Sequence, residues 1–279
     1  MAEVVALTKP AGNVVCDLDG VVYLAGQAVP GAGEALLELE GMGLRLIFVT
    51  NNSTRSPAAV AAEIRQTTAY PAHPGQVVTS AQAAVRLLSP SPGSSGPACL
   101  VLGGAGIAEV LGQEGVPVTG SWPEAGAVVV GLDWELTYDR LRDACLAVRA
   151  GARFVATNVD ETFPTPQGEW PGAGAIAAAV RAATGRVPEV AGKPHSPMRD
   201  LVRSRLAPGP TWVLGDRPST DLVMARAEGW KGILVLTGVA REATGLPHDQ
   251  TPDLVIDSLA DVPAALRKLG GGGNPSNLR

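Results

Sequence analysis

Four short polar motifs each follow an apolar run in this sequence. They are DLDG from Asp17 to Gly20, TNNS from Thr50 to Ser53, GKP from Gly192 to Pro194, and GDRPSTD from Gly215 to Asp221. Carboxylates, hydroxyls, amides and a lysine are the groups needed to hold a divalent cation beside a phosphate. The motifs therefore indicate metal-assisted chemistry on a phosphorylated ligand.

Aspartates dominate these motifs. If Asp17, Asp19, Asp216 and Asp221 meet at one point, their mutual repulsion is tolerable only when a cation neutralises it. Hard carboxylate oxygens favour magnesium. An acidic pocket would also repel a phosphate dianion, so the metal, Lys193 and donors around Thr50 must offset the carboxylates.

The segments around these motifs are predicted to alternate between strand and helix. Apolar runs predict strands at 14–17 and 44–49, and helices are predicted at 33–40 and 57–65, an order typical of a parallel sheet. In open α/β sheets, ligands bind at the carboxyl ends of the strands. The four motifs are therefore expected at one sheet edge.

The middle of the chain repeats this alternation by itself. Helices are predicted at 81–88, 106–114, 138–150 and 174–184, with strands at 98–103, 127–131 and 153–156. The larger pattern then resumes with strands at 190–192, 212–214 and 232–236 and helices at 196–206 and 220–228. We predict a catalytic core of residues 1–79 and 189–279 and an inserted domain of residues 80–188. A surface loop is expected at 90–97 and a mobile tail at 270–279.

Composition excludes several classes of protein. A chain of 279 residues with 46% hydrophobic and 18% charged residues is compact, with two domains or one domain and a large insertion. A formal charge of -5 without a basic cluster argues against nucleic-acid partners. Three widely spaced cysteines indicate neither disulfides nor zinc, and the expected location is the cytoplasm. No apolar run approaches the roughly 20 residues of a membrane span, and no export signal is recognised.

In this order, the four motifs resemble the haloacid dehalogenase (HAD) superfamily. A domain-sized insert between the second and third motifs is similar to the NagD-like branch, subfamily IIA, with its type C2 cap. The resemblance runs from Val14 to about Leu266 and includes TNVDETFPTPQGEWPGAGAI in the insert. It implies an α/β fold: a Rossmann-like parallel-sheet core with an inserted smaller α/β cap domain.

The resemblance implies roles for the acidic residues. Asp17 matches the nucleophile, which forms an aspartyl-phosphate and binds Mg²⁺. Asp19 matches the general acid and base, and its backbone carbonyl also binds the metal. Asp216 matches the metal-binding aspartate of the fourth motif. Asp221 is expected to orient metal-bound water or Lys193 from outside the ligand shell.

The same resemblance implies a phosphate-binding set. Thr50 and Lys193 match the residues that hold the transferring phosphoryl group. Asn51 is expected to donate to a phosphate oxygen, and Asn52 is included among the phosphate and substrate contacts. The sequence departs from the branch at Pro218, Ser219 and His195, although none of these replaces an expected ligand.

Three further segments resemble the glycerol-3-phosphate phosphatases of high-GC bacteria: VVTSAQAA, TNVDETFPT and VAGKP. The implied substrate is a small phosphate monoester, glycerol 3-phosphate, within a branch that also handles phosphoglycolate, nucleotides, pyridoxal phosphate and p-nitrophenyl phosphate. The branch often pairs through its caps, which implies a homodimer.

Other interpretations of these residues stay open at this point. Each motif alone is common in turns, and Asp221 could simply cap a backbone N–H. Asn158, Asp160 and Thr162 could contact substrate hydroxyls or stabilise their own loop by Asx turns. A signalling receiver leaves the insert unexplained, and a nicotinamide-binding oxidoreductase lacks its GxGxxG motif. A non-catalytic phospho-ligand binding protein would retain the fold without turnover.

Overall fold

The structure is a computed structural model that describes residues 11–89, 96–165 and 167–270. The chain forms two compact units: residues 1–48, 64–71 and 204–279 make the first, and residues 49–63 and 72–203 make the second. The predicted insert, residues 80–188, falls wholly within the second unit. Most of the predicted loop at 90–97 and almost all of the predicted tail lie outside the described residues.

Strands and short helices alternate along most of the described chain. The strands are β1 (Gly12–Cys16), β2 (Tyr23–Leu24), β3 (Gln27–Ala28), β4 (Leu44–Thr50), β5 (Val77–Thr79), β6 (Cys99–Leu102), β7 (Val118–Thr119), β8 (Ala127–Val130), β9 (Arg153–Ala156), β10 (Thr162–Thr165), β11 (Gly168–Pro171), β12 (Glu189–Val190), β13 (Thr211–Gly215), β14 (Lys231–Val235) and β15 (Leu254–Ile256). The α-helices are α1 (Ala32–Gly41), α2 (Pro57–Thr68), α3 (Ser80–Leu88), α4 (Ala105–Gln113), α5 (Tyr138–Arg149), α6 (Ala173–Thr184), α7 (Ser196–Arg203), α8 (Val223–Ala227) and α9 (Val262–Gly270).

The larger sheet has the strand order β15-β14-β13-β1-β4-β5. β1 pairs in parallel with both β13 and β4, which places Cys16 between Leu214 and Phe48. Every residue of β1 is buried, as expected for a central parallel strand covered on both faces. Because β1 and β13 run in the same direction, the residues that follow them leave the sheet at the same edge.

Apolar spacing explains how helices pack in the first unit. α1 buries Ala35, Leu36 and Leu39, a spacing of three and four residues that forms one face of the helix. The rings of Phe48 and Tyr70 meet edge to face, with their centroids 5.8 Å apart. The predicted α/β class built on a parallel sheet is confirmed.

The second unit contains its own five-stranded parallel sheet, in the order β12-β9-β8-β6-β7. Its strands and the helices α5 and α6 bury one apolar cluster: Leu102, Val128, Val130, Ala144, Ala147, Val148, Phe154, Ala156, Ile176, Ala177 and Val180. Gly185 caps the C-terminal end of α6 and has a left-handed backbone with φ of 71°. The alternation predicted for the insert therefore produces a sheet of its own.

One predicted strand joins a different sheet. Residues 190–192 were expected to resume the larger sheet, but β12 pairs with β9 through Glu189 and Val190 in the five-stranded sheet. The guanidinium of Arg153 on β9 donates to both carboxylate oxygens of Glu189, at 3.0 and 2.8 Å. Strand pairing with β9 and this ion pair were not visible in the local pattern.

Candidate active site

Asp17 leaves the central strand at its carboxyl end. Its backbone N–H donates to the Leu214 carbonyl at 2.9 Å and so extends the pairing of β1 with β13 by one residue. One carboxylate oxygen, Oδ1, accepts from the Leu18 N–H at 2.8 Å. Because the Leu18 side chain is fully buried, the backbone that orients this carboxylate is held firmly.

Asp216 and Asp221 follow the neighbouring strand β13, and both are buried. Oδ2 of Asp216 accepts from the Val239 N–H at 2.6 Å, and Oδ2 of Asp221 accepts from the Arg217 N–H at 3.2 Å. The chain from Pro218 to Leu222 forms a π-helical turn before α8 begins, where a single helix was predicted over 220–228. That turn brings Asp221 back toward the end of β13. As a result, the Asp221 carboxyl group lies close to Gly215, the last residue of that strand.

These residues form a group suited to a metal ion. Asp17, Asp216 and Asp221 each offer a carboxylate oxygen, and the three oxygens lie within 4.8 Å of one another. Three hard oxygen donors at this spacing fit Mg²⁺, which would also relieve their mutual repulsion.

The carboxylate of Asp19 does not belong to this group of three. Among the described residues, the carboxylates that can share one ion are those of Asp17, Asp216 and Asp221, without that of Asp19. The resemblance assigns Asp19 to the metal through its backbone carbonyl, so that assignment stays a prediction. Asp19 forms an isolated bridge with Tyr23, which shapes the turn after β1.

Close backbone approach explains the glycines around Asp216. A Cβ atom on Gly238 would lie 1.8 Å from Oδ2 of Asp216, and one on Gly20 would lie 2.4 Å from the same oxygen. Side chains at these two positions would displace the carboxylate. The loop after β14, with Gly238 and Val239, is a part of the site that the sequence motifs missed, since TG followed by valine carries no distinctive signal.

Lys193 is the central residue of the second group, which lies within the second unit. Its side chain is buried, and its Nζ donates to the Val49 carbonyl at 3.4 Å. Its backbone N–H donates to Oδ1 of Asn51 at 2.7 Å, and its carbonyl accepts from Nδ2 of Asn51 at 3.3 Å. The second and third motifs are therefore joined side chain to backbone across 142 positions of sequence.

The TNNS loop uses most of its polar groups on itself and its neighbours. The Thr50 hydroxyl accepts from the Asn52 N–H at 3.0 Å, and Oδ1 of Asn52 accepts from the backbone N–H and the hydroxyl of Thr54. Nδ2 of Asn51 also donates to the Asp160 carboxylate at 3.1 Å. Phosphate binding by Asn51 and Asn52 stays a prediction.

The loop after β9 contacts this group. Nδ2 of Asn158 donates to the Asn51 carbonyl at 2.7 Å, and Oδ1 of Asn158 accepts from the Asp160 N–H at 3.0 Å. The second bond is an Asx turn. The sequence left two interpretations open for this loop. The structure contains the Asx turn of one of them at Asn158.

The predicted site residues thus fall into two groups. Asp17, Asp216 and Asp221 come together in the first unit, which also contains Asp19. Thr50, Asn51, Asn52 and Lys193 all belong to the second unit.

Within residues 11–89, 96–165 and 167–270, no helix has the length and apolar character required to traverse a lipid bilayer.

Family models match two parts of the chain. Residues 14–117 match the model described as haloacid dehalogenase-like hydrolase, and residues 190–262 match a second HAD-hydrolase-like model. The two matches contain all four motifs. The chain belongs to the haloacid dehalogenase-like hydrolases.

Two curated relatives are named as phosphatases. The chain is 39% identical over 229 residues to D-glycerol 3-phosphate phosphatase of Mycobacterium tuberculosis, an alignment covering 81% of this chain and 63% of that protein. The chain thus spans less than two thirds of that relative's length. It is 34% identical to acid sugar phosphatase of Staphylococcus haemolyticus, covering 91% of this chain and 94% of that one.

A solved structure agrees. Glycerol phosphate phosphatase Rv1692 from Mycobacterium tuberculosis in complex with magnesium matches with a TM-score of 0.81 and 35% identity, over 91% of this chain and 76% of that one. The predicted recognition and fold are confirmed. The protein is a phosphatase of the NagD type, and the receiver and oxidoreductase alternatives are set aside.

Proposed function

We propose that this phosphatase hydrolyses glycerol 3-phosphate to glycerol and phosphate through an aspartyl-phosphate on Asp17. Mg²⁺ is its cofactor, and Asp17, Asp216 and Asp221 provide side-chain ligands or orient its water. The observation that carries the proposal is the meeting of three carboxylates at the ends of two neighbouring strands. A bound Mg²⁺ would supply charge neutralisation to these carboxylates and to the phosphoryl oxygens.

The first half-reaction uses Asp17 and Asp19. A carboxylate oxygen of Asp17 forms a bond to phosphorus while the bond from phosphorus to the glycerol oxygen breaks. Asp19 gives its proton to the departing oxygen, so glycerol leaves as a neutral alcohol. The hydrogen bond from the Leu18 N–H to Asp17 keeps the carboxylate oriented for this attack.

The second half-reaction reverses the role of Asp19. Its carboxylate takes a proton from water, the water oxygen bonds to phosphorus, and the bond from phosphorus to Asp17 breaks. Lys193 and Thr50 bind the phosphoryl oxygens in both steps. The buried ammonium of Lys193 is suited to this, because charge interactions are stronger away from solvent.

The substrate proposal rests on the 39% identity with the glycerol 3-phosphate phosphatase. Mg²⁺-dependent phosphate release should be measured over a panel of glycerol 3-phosphate, phosphoglycolate, a nucleoside monophosphate, pyridoxal phosphate and p-nitrophenyl phosphate. We expect kcat/KM for glycerol 3-phosphate to exceed the others by about tenfold or more, a difference that one or two substrate hydrogen bonds supply. A higher kcat/KM for another monoester would identify that monoester as the preferred substrate in place of glycerol 3-phosphate. The assignment as a phosphatase would be unchanged.

Asp17→Asn tests the nucleophile. Removing a covalent nucleophile is expected to lower kcat by about 10⁴-fold or more, because the remaining site only binds and polarises the substrate. Asp139→Asn is the matched control, since Asp139 is an exposed acid paired with Arg142 on α5. Full activity of Asp17→Asn would contradict the mechanism.

We propose in addition that two copies pair through residues 80–188 and that the protein acts in the cytoplasm. The pairing comes from the resemblance to the branch, and the location comes from the three widely spaced cysteines. Light scattering across a concentration series tests the first, with a dimer mass as the expected result and a monomer mass at all concentrations as the contrary one.

A further inference from the structure

Asn51 connects two motif loops of the second unit. Its side-chain oxygen accepts from the Lys193 N–H, and its side-chain nitrogen donates to the Lys193 carbonyl and to the Asp160 carboxylate. Its own carbonyl accepts from the Ser80 hydroxyl at 2.5 Å and from Nδ2 of Asn158 at 2.7 Å. Asn51 itself is 9% exposed, so water competes little for these bonds.

Asn51 packs tightly against the GKP loop. A Cβ atom on Gly192 would lie 2.5 Å from both Oδ1 of Asn51 and the Thr157 carbonyl. Lys193 is thus held by its backbone on one side and by its ammonium at Val49 on the other. Any rotation of the Asn51 amide must therefore alter the hydrogen bonds of Lys193.

Asp160 is one of the groups that fix which way that amide points. An asparagine side chain can turn by 180° and exchange its oxygen for its nitrogen at almost no internal cost. A carboxylate can only accept, so Asp160 requires the N–H side of Asn51 at 3.1 Å. In that orientation the oxygen of Asn51 faces the Lys193 N–H. The turned amide would instead place its N–H groups against that donor and its oxygen against two acceptors, the Lys193 carbonyl and the Asp160 carboxylate.

We propose that Asp160 is a positioning residue for Lys193, acting through the amide of Asn51. The inference rests on the proposed function of Lys193, which is to bind the transferring phosphoryl group. Loss of the Asp160 carboxylate removes one of the partners that hold the Asn51 amide, so the amide turns away from the Lys193 N–H more often. When it does, the Lys193 backbone loses its acceptor and the ammonium shifts away from its catalytic position. Asp160 does not touch the reacting atoms in this account.

The test compares Asp160→Ala with Asp160→Asn and with Glu161→Ala, a control at the exposed neighbouring acid. Asp160→Ala is expected to lower kcat by about tenfold to a hundredfold, since small misplacements of a catalytic group have effects of this size. Asp160→Asn keeps an oxygen acceptor and is expected to recover kcat to within about threefold of the native enzyme, since a neutral acceptor retains most of a hydrogen bond. Glu161→Ala should match the native enzyme.

Two substrates separate positioning from substrate contact. Because Lys193 handles the phosphoryl group common to all monoesters, Asp160→Ala should lower kcat equally for p-nitrophenyl phosphate and for the preferred monoester of the panel. A loss confined to the hydroxylated substrate, with a raised KM, would make Asp160 a leaving-group contact and overturn the inference. So would failure of Asp160→Asn to recover kcat.

Hydrogen exchange gives a readout that does not depend on turnover. The Lys193 amide should exchange faster in Asp160→Ala by about tenfold or more, because its hydrogen bond to Asn51 opens more often, and it should stay protected in Asp160→Asn. Unchanged exchange in Asp160→Ala overturns the inference even if the enzyme is active. An inactive native enzyme with the expected exchange pattern would instead contradict the proposed function alone.

Discussion

Buried carboxylates at short range define the chemistry available to individual residues. Asp216 and Asp221 are 4% and 1% exposed, and each accepts a backbone N–H. Hydrogen bonds from backbone N–H groups do little to offset the repulsion among three carboxylates whose oxygens lie within 4.8 Å. These carboxylates are therefore expected to favour Mg²⁺ binding and to lower the stability of the metal-free chain.

Asp221→Asn tests that opposition. The metal-free variant is expected to melt a few degrees higher than the native chain, since one repelling charge is removed. The Mg²⁺ concentration for half-maximal stabilisation should rise by about tenfold to a hundredfold, and by more for Asp216→Asn. Thermal melts over a Mg²⁺ series measure both, with the exposed Asp200→Asn as control. A lower melting temperature with an unchanged response to Mg²⁺ would leave Asp221 as a cap for Arg217 only.

Residue types were sufficient to predict the acidic group and insufficient to predict the partners of the amides. Carboxylates that converge on one point need a cation, so DLDG and GDRPSTD became informative once the order of the motifs placed both at the same sheet edge. The Asn51 amide can bind a phosphate oxygen or protein groups equally well, and its choice of Lys193 and Asp160 depends on loops that only tertiary structure brings together.

Helix caps show how sequence determines elements locally. Thr79 begins α3: its hydroxyl accepts from the Gln82 N–H, and the Gln82 side chain accepts from the Thr79 N–H. Thr137 begins α5 and accepts from the Arg140 N–H. Thr79 is fully buried, whereas Thr137 is exposed, so the same cap is in two different surroundings.

Thr79→Ala should therefore destabilise more than Thr137→Ala. We expect the free energy of unfolding to fall by about 2 kcal/mol for Thr79→Ala, in which a cap is lost and a small cavity is left, and by about 0.5–1 kcal/mol for Thr137→Ala. Urea denaturation of the two variants beside the native protein gives the comparison. Equal losses would mean that burial adds nothing to the Thr79 cap.

Element boundaries were predictable where apolar periodicity was strong and less so where pairing partners decided the outcome. The predicted strand at 153–156 coincides with β9, and the predicted helix at 138–150 differs from α5 by one residue. β12 is two residues long, and its sheet is chosen by β9 and Arg153 rather than by its own sequence. The hairpin of β10 and β11 was missed because TFPTPQGEWP contains three prolines, which normally argue against a strand.

At the scale of the whole molecule, composition constrained the answer before any motif did. A length of 279 residues with 46% hydrophobic content permits two cores, and both sheets are indeed buried in apolar side chains. The order of the motifs predicts the insertion, because the second and third motifs are separated by more chain than a parallel crossover needs. The compact units differ from the predicted division by taking residues 49–63, 72–79 and 189–203 into the second unit.

This distribution predicts an uneven response to Mg²⁺. The carboxylates that fit a metal all lie in the first unit, so binding should suppress local opening there first. Hydrogen exchange with and without Mg²⁺ is expected to slow by about tenfold or more in the segments that follow β1, β13 and β14, while β6, β8 and β9 change little. Asp216→Asn, which weakens the metal group, should abolish the difference. Equal slowing in both sheets would show instead that the units open together, and the effect of the metal would then be global.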